Sequence, residues 1–252
     1  MSAIFNPKFQ FLENSVNNFI QSFHSSGTLL VKGNRNTIRL FPVDTLTLNI
    51  KAFKVPHLLN QFIYKFVRPS KAKRSFDYAT LLLQKGIGTP EPIAYIENFS
   101  AFGLSDSYYV SEHLNADLTF RELVEIPDFK NHEAILRAFT RFCFKMHEKG
   151  IEFLDHSPGN TLVKITPTEY EFYLVDLNRM KFHTEMNFDQ RMKNLSRLTP
   201  KKEMVTVMAN EYAKLYERTE GEIFDKMWGE TSTFQSKFHR KAAFKKSLKL
   251  SK

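Results

Sequence analysis

The chain has 252 residues, 42% of them hydrophobic and 14% aromatic, enough to bury one substantial core or two small lobes. Its formal charge of +9 is local: residues 51–74 and 237–252 each carry seven Lys/Arg and no acid, leaving −5 elsewhere, which excludes a uniformly basic protein and points to two surfaces for anionic partners. The single cysteine, Cys143, excludes an internal disulfide, and no apolar run approaches the ~20 residues of a membrane span, so a reducing, cytoplasmic setting is expected.

The opening MSAIFNPKFQFLENS lacks the charged-then-apolar order of a leader. Strands follow in 27-GTLLVKG-33, 36-NTIRLFP-42 and 45-TLTLNIKAFK-54, divided by Gly, Asn, Pro and Asp turns. Helical spacing takes over in 70-SKAKRSFDYATLLLQKG-86, where Phe76, Ala79, Leu82 and Leu83 share a face and Gly86 stops the run. The stretches 88-GTPEPIAYIEN-98 and 106-DSYYVSEHL-114 read as two further strands about a turn near Gly103. From Leu118 the pattern is mainly helical, in 120-FRELVEI-126 and 132-HEAILRAFTRFCFKMHEKG-150. Short strands 160-NTLVKI-165 and 171-EFYLVDL-177 interrupt it before helices resume from about Asn187. The expected fold class is α+β: a small strand-rich lobe with one helix over about 25–113, a larger helical lobe over 114–236, and a basic tail over 237–252.

Two fragments could carry chemistry. The run 153-FLDHSPGNTLVKI-165 holds an acid and an asparagine as D-x-x-x-x-N, and the apolar run 172-FYLVDL-177 ends near Asp176. Phosphoryl transfer from ATP needs a base or orienting group at the acceptor hydroxyl, a cation on the inner phosphates and metal ions on the triphosphate. Asp155 is spaced to face an acceptor while the amide oxygen of Asn160 reaches a magnesium ion, with Asp176 as a second hard oxygen ligand. DHSPGN also reads as an Asx-type turn before a strand, because all its small residues are turn formers.

The stretch MHEKGIEFLDHSPGNTLV resembles the helix and catalytic loop of the protein-kinase-like superfamily, L-H-x-x-G-I-x-H-x-D-x-x-x-x-N-x-L, and Asp176-Leu177-Asn178 resembles its D-F-G element. Taken with KGNRN, KAFKVP, RPSKAKRSFDYA, KGIGTPEPIAYIE and VDLNRMKF, the chain is similar over roughly residues 25 to 230 to the lipopolysaccharide kinase family. That resemblance implies a two-lobed kinase fold with Asp155 as catalytic base and Asn160 and Asp176 as metal ligands. It implies that Lys51 pairs with the α/β-phosphates of ATP, with Lys54 as competing candidate, and that Asp77, one methylene shorter than the usual Glu, holds this lysine. Gly33, Asn34 and Arg35 lie where kinases cover the phosphates with a glycine-rich loop, although a plain hairpin turn explains one glycine equally well. Glu112 and His113 occupy the position of the adenine-binding hinge.

Two departures stand out. Phe153 replaces the histidine that braces such a loop, and Leu154 replaces the arginine that would receive an activation-loop phosphate, which argues against that form of control. Asn178 in place of glycine makes a flipping loop less favourable, and His147 reads as a structural helix residue.

Functionally, the resemblance implies ATP- and Mg²⁺-dependent phosphorylation of a Kdo or heptose sugar, the acceptor being the lipopolysaccharide core or a lipid A-linked sugar. The alternatives are a kinase of a protein or other small-molecule hydroxyl, and a pseudokinase that only binds. Phe238, Ala242 and Leu248 fall near one helical face among lysines, so the tail is expected to lie on an anionic membrane surface, peripheral to the inner membrane. No recognition helix, RNP-like or zinc-finger pattern accompanies the basic runs, and nucleic acid is not an expected partner.

Overall fold

The computed structural model describes residues 2–54, 69–101 and 103–250, with side chains as far as 244. The central part of the first basic run and Leu248 in the second lie outside the described side chains. The chain forms two compact units. The first comprises residues up to Asn115 together with Val175–Asn178, and the second comprises Ala116–Leu174 with Arg179–Lys252.

In the first unit β1 (Ser2–Phe5), β2 (Thr28–Lys32), β3 (Asn36–Val43), β4 (Leu46–Phe53), β5 (Pro92–Ser100) and β6 (Gly103–Glu112) form one sheet in the order β1-β5-β6-β4-β3-β2. All its pairings are antiparallel. Because side chains alternate across a strand, β4 serves two cores at once. Leu48 and Ile50 join Ala94, Ile96, Tyr108 and Val110 beneath a 3₁₀ turn (Pro7–Leu12) and α1 (Glu13–Gln21), which contribute Phe9, Leu12, Val16 and Ile20. Phe53 points the other way, onto Ala72, Phe76, Tyr95 and Tyr109, where α2 (Lys71–Gln84) lies. Ser70 caps α2 by accepting from the backbone N–H of Lys73 at 3.0 Å. No separate reading of the first 24 residues came from pattern alone, although Val16, Phe19, Ile20 and Phe23 recur at helical spacing.

In the second unit β7 (Leu118–Thr119), β9 (Thr161–Ile165) and β10 (Tyr170–Leu174) make a three-stranded sheet, and β8 (Ile151–Phe153) pairs with β11 (Met180–Phe182). The helices are α3 (Phe120–Glu125), α4 (His132–Glu148), α5 (Phe188–Leu195), α6 (Lys202–Ala213) and α7 (Glu220–Leu250). Their apolar faces close one core around Phe120, Phe139, Met192, Leu195, Met208 and Tyr212. Cys143 is buried there and burial pushes its thiol well up, so it is packing material and not a nucleophile.

Two expectations are refined. The strand expected through Asp176 stops at Leu174, so Asp176 sits in the following loop. The basic tail is no separate element: α7 runs through residue 237 without a break, with Phe238 and Phe244 both exposed. Among the described residues no helix is long and apolar enough to cross a membrane.

Candidate active site

The site residues of the first unit gather around one carboxylate. Lys51, buried on β4, donates to Asp176 Oδ1 at 2.5 Å, and the Asn178 amide donates to the same oxygen at 2.8 Å. Asp176 adopts φ 60°, a left-handed conformation that a non-glycine residue holds only where its surroundings over-determine it. Here they do: Arg74 donates to the Asn178 carbonyl at 2.9 Å, tying the loop back to α2.

Strand parity separates the two candidate lysines. Lys51 has the strand parity of Phe53, whereas Lys54, just past the strand end, lines a cavity of about 500 Å³ with His24, Asn34, Asn36, Phe53, Asp106 and Tyr108.

The expected partner Asp77 needs correction. It pairs with Lys73 one turn back on α2, Nζ to Oδ2 at 3.0 Å, and the lysine it was to hold pairs with Asp176 instead. Residues four apart on a helix face one another, which puts the Lys73 ammonium within reach of the short Asp77 carboxylate.

More positive charge surrounds this point than the motif supplies. Lys71 has its pKa lowered, first by burial and then by Arg35, Arg74 and Lys51, with Asp176 opposing. Three other cations thus act on Lys71 beside a single carboxylate, an arrangement that favours a polyanion. Lys71 went unrecognised as a site residue, its only signal being membership of the basic run KAKR.

The loop 33–35 is a tight hairpin, closed by the Gly33 N–H on the Asn36 carbonyl at 3.0 Å. A side chain at Gly33 would meet nothing closer than 3.4 Å, so glycine is not required there, which matches the plain-turn reading. At the proposed hinge both backbone donors are occupied: Glu112 N–H bonds the Glu91 carbonyl at 2.9 Å and His113 N–H the Thr47 carbonyl at 2.7 Å. A base docking at this strand end would meet these two residues through their carbonyls rather than through their N–H groups.

In the second unit Asp155 follows β8 directly. Arg197 donates to Asp155 Oδ1 at 3.0 Å, and Arg179 to both carboxylate oxygens at 3.1 and 3.4 Å. Neither arginine stands out in the sequence, because each is one cation among many with no motif around it. Asn160 donates through Nδ2 to the Asp155 carbonyl at 2.8 Å, which leaves its Oδ1 as a free acceptor among the described residues. Phe153, in the place of the expected histidine, is fully buried and packs on the ring of His156 with centroids 5.6 Å apart.

A buried relay supports this loop. His147 on α4 accepts from the Tyr212 hydroxyl at 3.0 Å and donates to Asn194 Oδ1 at 3.2 Å, and Asn194 Nδ2 donates to the Phe153 carbonyl at 2.8 Å. Burial above all, opposed by the Asn194 bond, holds the His147 pKa down at about 3. Burial likewise lowers His156, whose ring nitrogens make no hydrogen bond among the described residues, to about 4. Both fall below the ordinary 6.5, so the unfolded chain binds more protons: stability is full above pH 6.5 and is lost as pH falls towards those values. The denaturant midpoint is expected to drop between about pH 7 and about pH 5, and His147→Gln to shrink that drop. An equal drop in the variant removes His147 from the account.

A magnesium ion is implied by kinase chemistry, and each unit by itself offers one oxygen of the kind it takes. The Asn160 oxygen is free, and Asp176 Oδ2 makes no hydrogen bond among the described residues. Hard oxygens of this kind suit Mg²⁺, which draws the rest of its shell from phosphates and water. Among the described residues there is no cluster of three or more His, Cys, Asp or Glu able to hold a metal without such help.

Comparison with known proteins follows the same lines. Residues 53–218, well over half the chain, match the model of the lipopolysaccharide kinase (Kdo/WaaP) family; the match contains Asp155, Asn160 and Asp176 and begins just past Lys51. A solved structure described as WaaP in complex with acyl carrier protein superimposes with TM-score 0.64 at 17% identity, covering 95% of this chain and 99% of that one. At that identity the likeness speaks for the fold, which is protein-kinase-like. A comparison with curated protein sequences found no relative. The chain belongs to the lipopolysaccharide kinase (Kdo/WaaP) family, and with it to the phosphotransferases.

Proposed function

We propose that this protein transfers the γ-phosphate of ATP to a hydroxyl of a Kdo or heptose sugar in the lipopolysaccharide inner core. The observation that carries the nucleotide part is the excess of cations, Arg35, Lys51, Lys71 and Arg74, about Asp176. Lys51 is the ATP lysine of this reading, because it and not Lys54 meets Asp176. Bound at Asn160 and Asp176, Mg²⁺ would neutralise triphosphate charge.

The protein's own part is then positional. Asp155, oriented by its two arginines, accepts the proton of the sugar hydroxyl as its oxygen attacks the γ-phosphorus. The bond from that phosphorus to the bridging oxygen breaks, and ADP leaves. The family supports the acceptor class, and the arginines beside Asp155 suit an acceptor bearing carboxylate or phosphate groups. The basic end of α7, with Phe238 exposed, suits attachment to the anionic face on which such acceptors are assembled.

Incubation with ATP, Mg²⁺ and purified deacylated inner-core oligosaccharide is expected to add one phosphate to the sugar, read by mass spectrometry. ATP binding by thermal shift without any transfer would sink the acceptor assignment; absence of both would sink the nucleotide assignment.

A further inference from the structure

We infer that Arg197, seconded by Asn194, is the positioning group of the loop that carries Asp155, standing in for the histidine and arginine absent at Phe153 and Leu154. The inference rests on the role proposed above for Asp155. Three consecutive loop residues are gripped from the end of α5. Asn194 Nδ2 donates to the Phe153 carbonyl at 2.8 Å; Arg197 Nη1 donates to the Leu154 carbonyl at 2.7 Å and to Asp155 Oδ1 at 3.0 Å.

One nitrogen thus joins a main-chain carbonyl to the reacting carboxylate. Rotation of Asp155 about its side-chain bonds, or slippage of the loop, breaks a charge-assisted hydrogen bond. Arg197 is itself anchored, its guanidinium lying 5.2 Å from the Phe234 ring centroid on α7. Its Nε is buried without a hydrogen-bond partner, a cost to folding that packing alone does not explain but a fixed Nη1 does. Arg179 reaches the same carboxylate but is more exposed, 56% against 34%, and binds none of the loop carbonyls, so it is the looser of the two.

The sequence departure is thereby accounted for. A kinase-type loop with its own histidine and arginine is braced from within; this one is braced from the helix that follows. Asn194 also links the brace to the buried His147 and Tyr212, so the whole assembly is anchored in the core.

The test uses the full chain, with Arg197→Gln and Arg197→Lys beside the parent. Two quantities are read: phosphate transfer from ATP to deacylated inner-core oligosaccharide, and amide hydrogen exchange of peptides spanning 150–162. Arg197→Gln is expected to lower kcat about 100-fold, the scale of an ångström-sized misplacement, with KM for ATP little changed and faster exchange in the loop. Arg197→Lys keeps the cation but loses the fork, and should recover part of both. Parental kcat or unchanged loop exchange in Arg197→Gln overturns the inference. So does an equal loss in both variants that tracks a fall in Tm, since that marks a general structural role. If the parent transfers no phosphate while loop exchange still depends on Arg197, the acceptor assignment fails and the brace stands.

Discussion

Asp155→Asn is expected to reduce phosphate transfer by about 10²- to 10⁴-fold, the usual contribution of a positioned general base, while the ATP-dependent thermal shift persists. The substitution keeps the volume and leaves an oxygen for Arg197 and Arg179, so the loop retains its grip. What it removes is the group that takes the hydroxyl proton and the charge that balances two arginines. The first loss acts on kcat. The second leaves a net positive site, which would hold an anionic acceptor at least as well, so KM for the oligosaccharide should not rise. The measurement is a steady-state assay in both substrates, with the parent beside the variant. A variant as fast as the parent would falsify the assignment of Asp155 as base and favour a chain that binds without catalysing.

Gly150→Ala is expected to destabilise the second unit by about 3–5 kcal/mol, at the upper end of single-residue effects. Gly150 closes α4 at φ 70°, where an alanine already costs about 1–2 kcal/mol in steric strain. The greater cost comes from the approach of a second backbone: a Cβ built there would lie 1.9 Å from the His183 carbonyl oxygen and 2.9 Å from its carbonyl carbon. Those two residues are also joined by the His183 N–H on the Gly150 carbonyl at 2.8 Å, so one chain cannot retreat without losing the bond. The ribbon of β8 and β11 must open, and β8 leads straight to Asp155. Gly86 provides the contrast, since it ends α2 at φ 66° with nothing within 4 Å, and its alanine variant should cost only the strain, about 1–2 kcal/mol. Urea unfolding of the two variants beside the parent separates strain from collision. Equal costs would show that the ribbon yields and that the contact at Gly150 is not decisive.

This glycine also shows how much of the motif was legible. The helix, the glycine after it and the D-x-x-x-x-N loop are contiguous, and local periodicity with turn chemistry suffices to place them. The physical need for the glycine was not readable, because the carbonyl it must avoid lies 33 residues further on, at His183. The same holds for the ribbon itself, whose strands of three residues each carry too little alternation to register. In the first unit β4 and α2 were plain from their spacing. Strand β1 was not, since four residues at the chain start acquire meaning only by pairing with β5.

Sequence alone determined the fold class and most of the elements, and the resemblance it carries set Asp155, Asn160 and Asp176 in a kinase-like pattern because these residues lie close together in the chain. Tertiary structure decided who meets whom. It gave Asp176 to Lys51 and Asp77 to Lys73, brought Lys71 and Arg35 into one electrostatic cluster, and set Arg179 and Arg197 on the carboxylate of Asp155. Ion pairs form between side chains that folding brings within a few ångströms, and a lone lysine or arginine carries no periodicity to announce its partner. That is why a loop lacking its own histidine and arginine looked defective in sequence, yet is held at three successive residues in the folded chain.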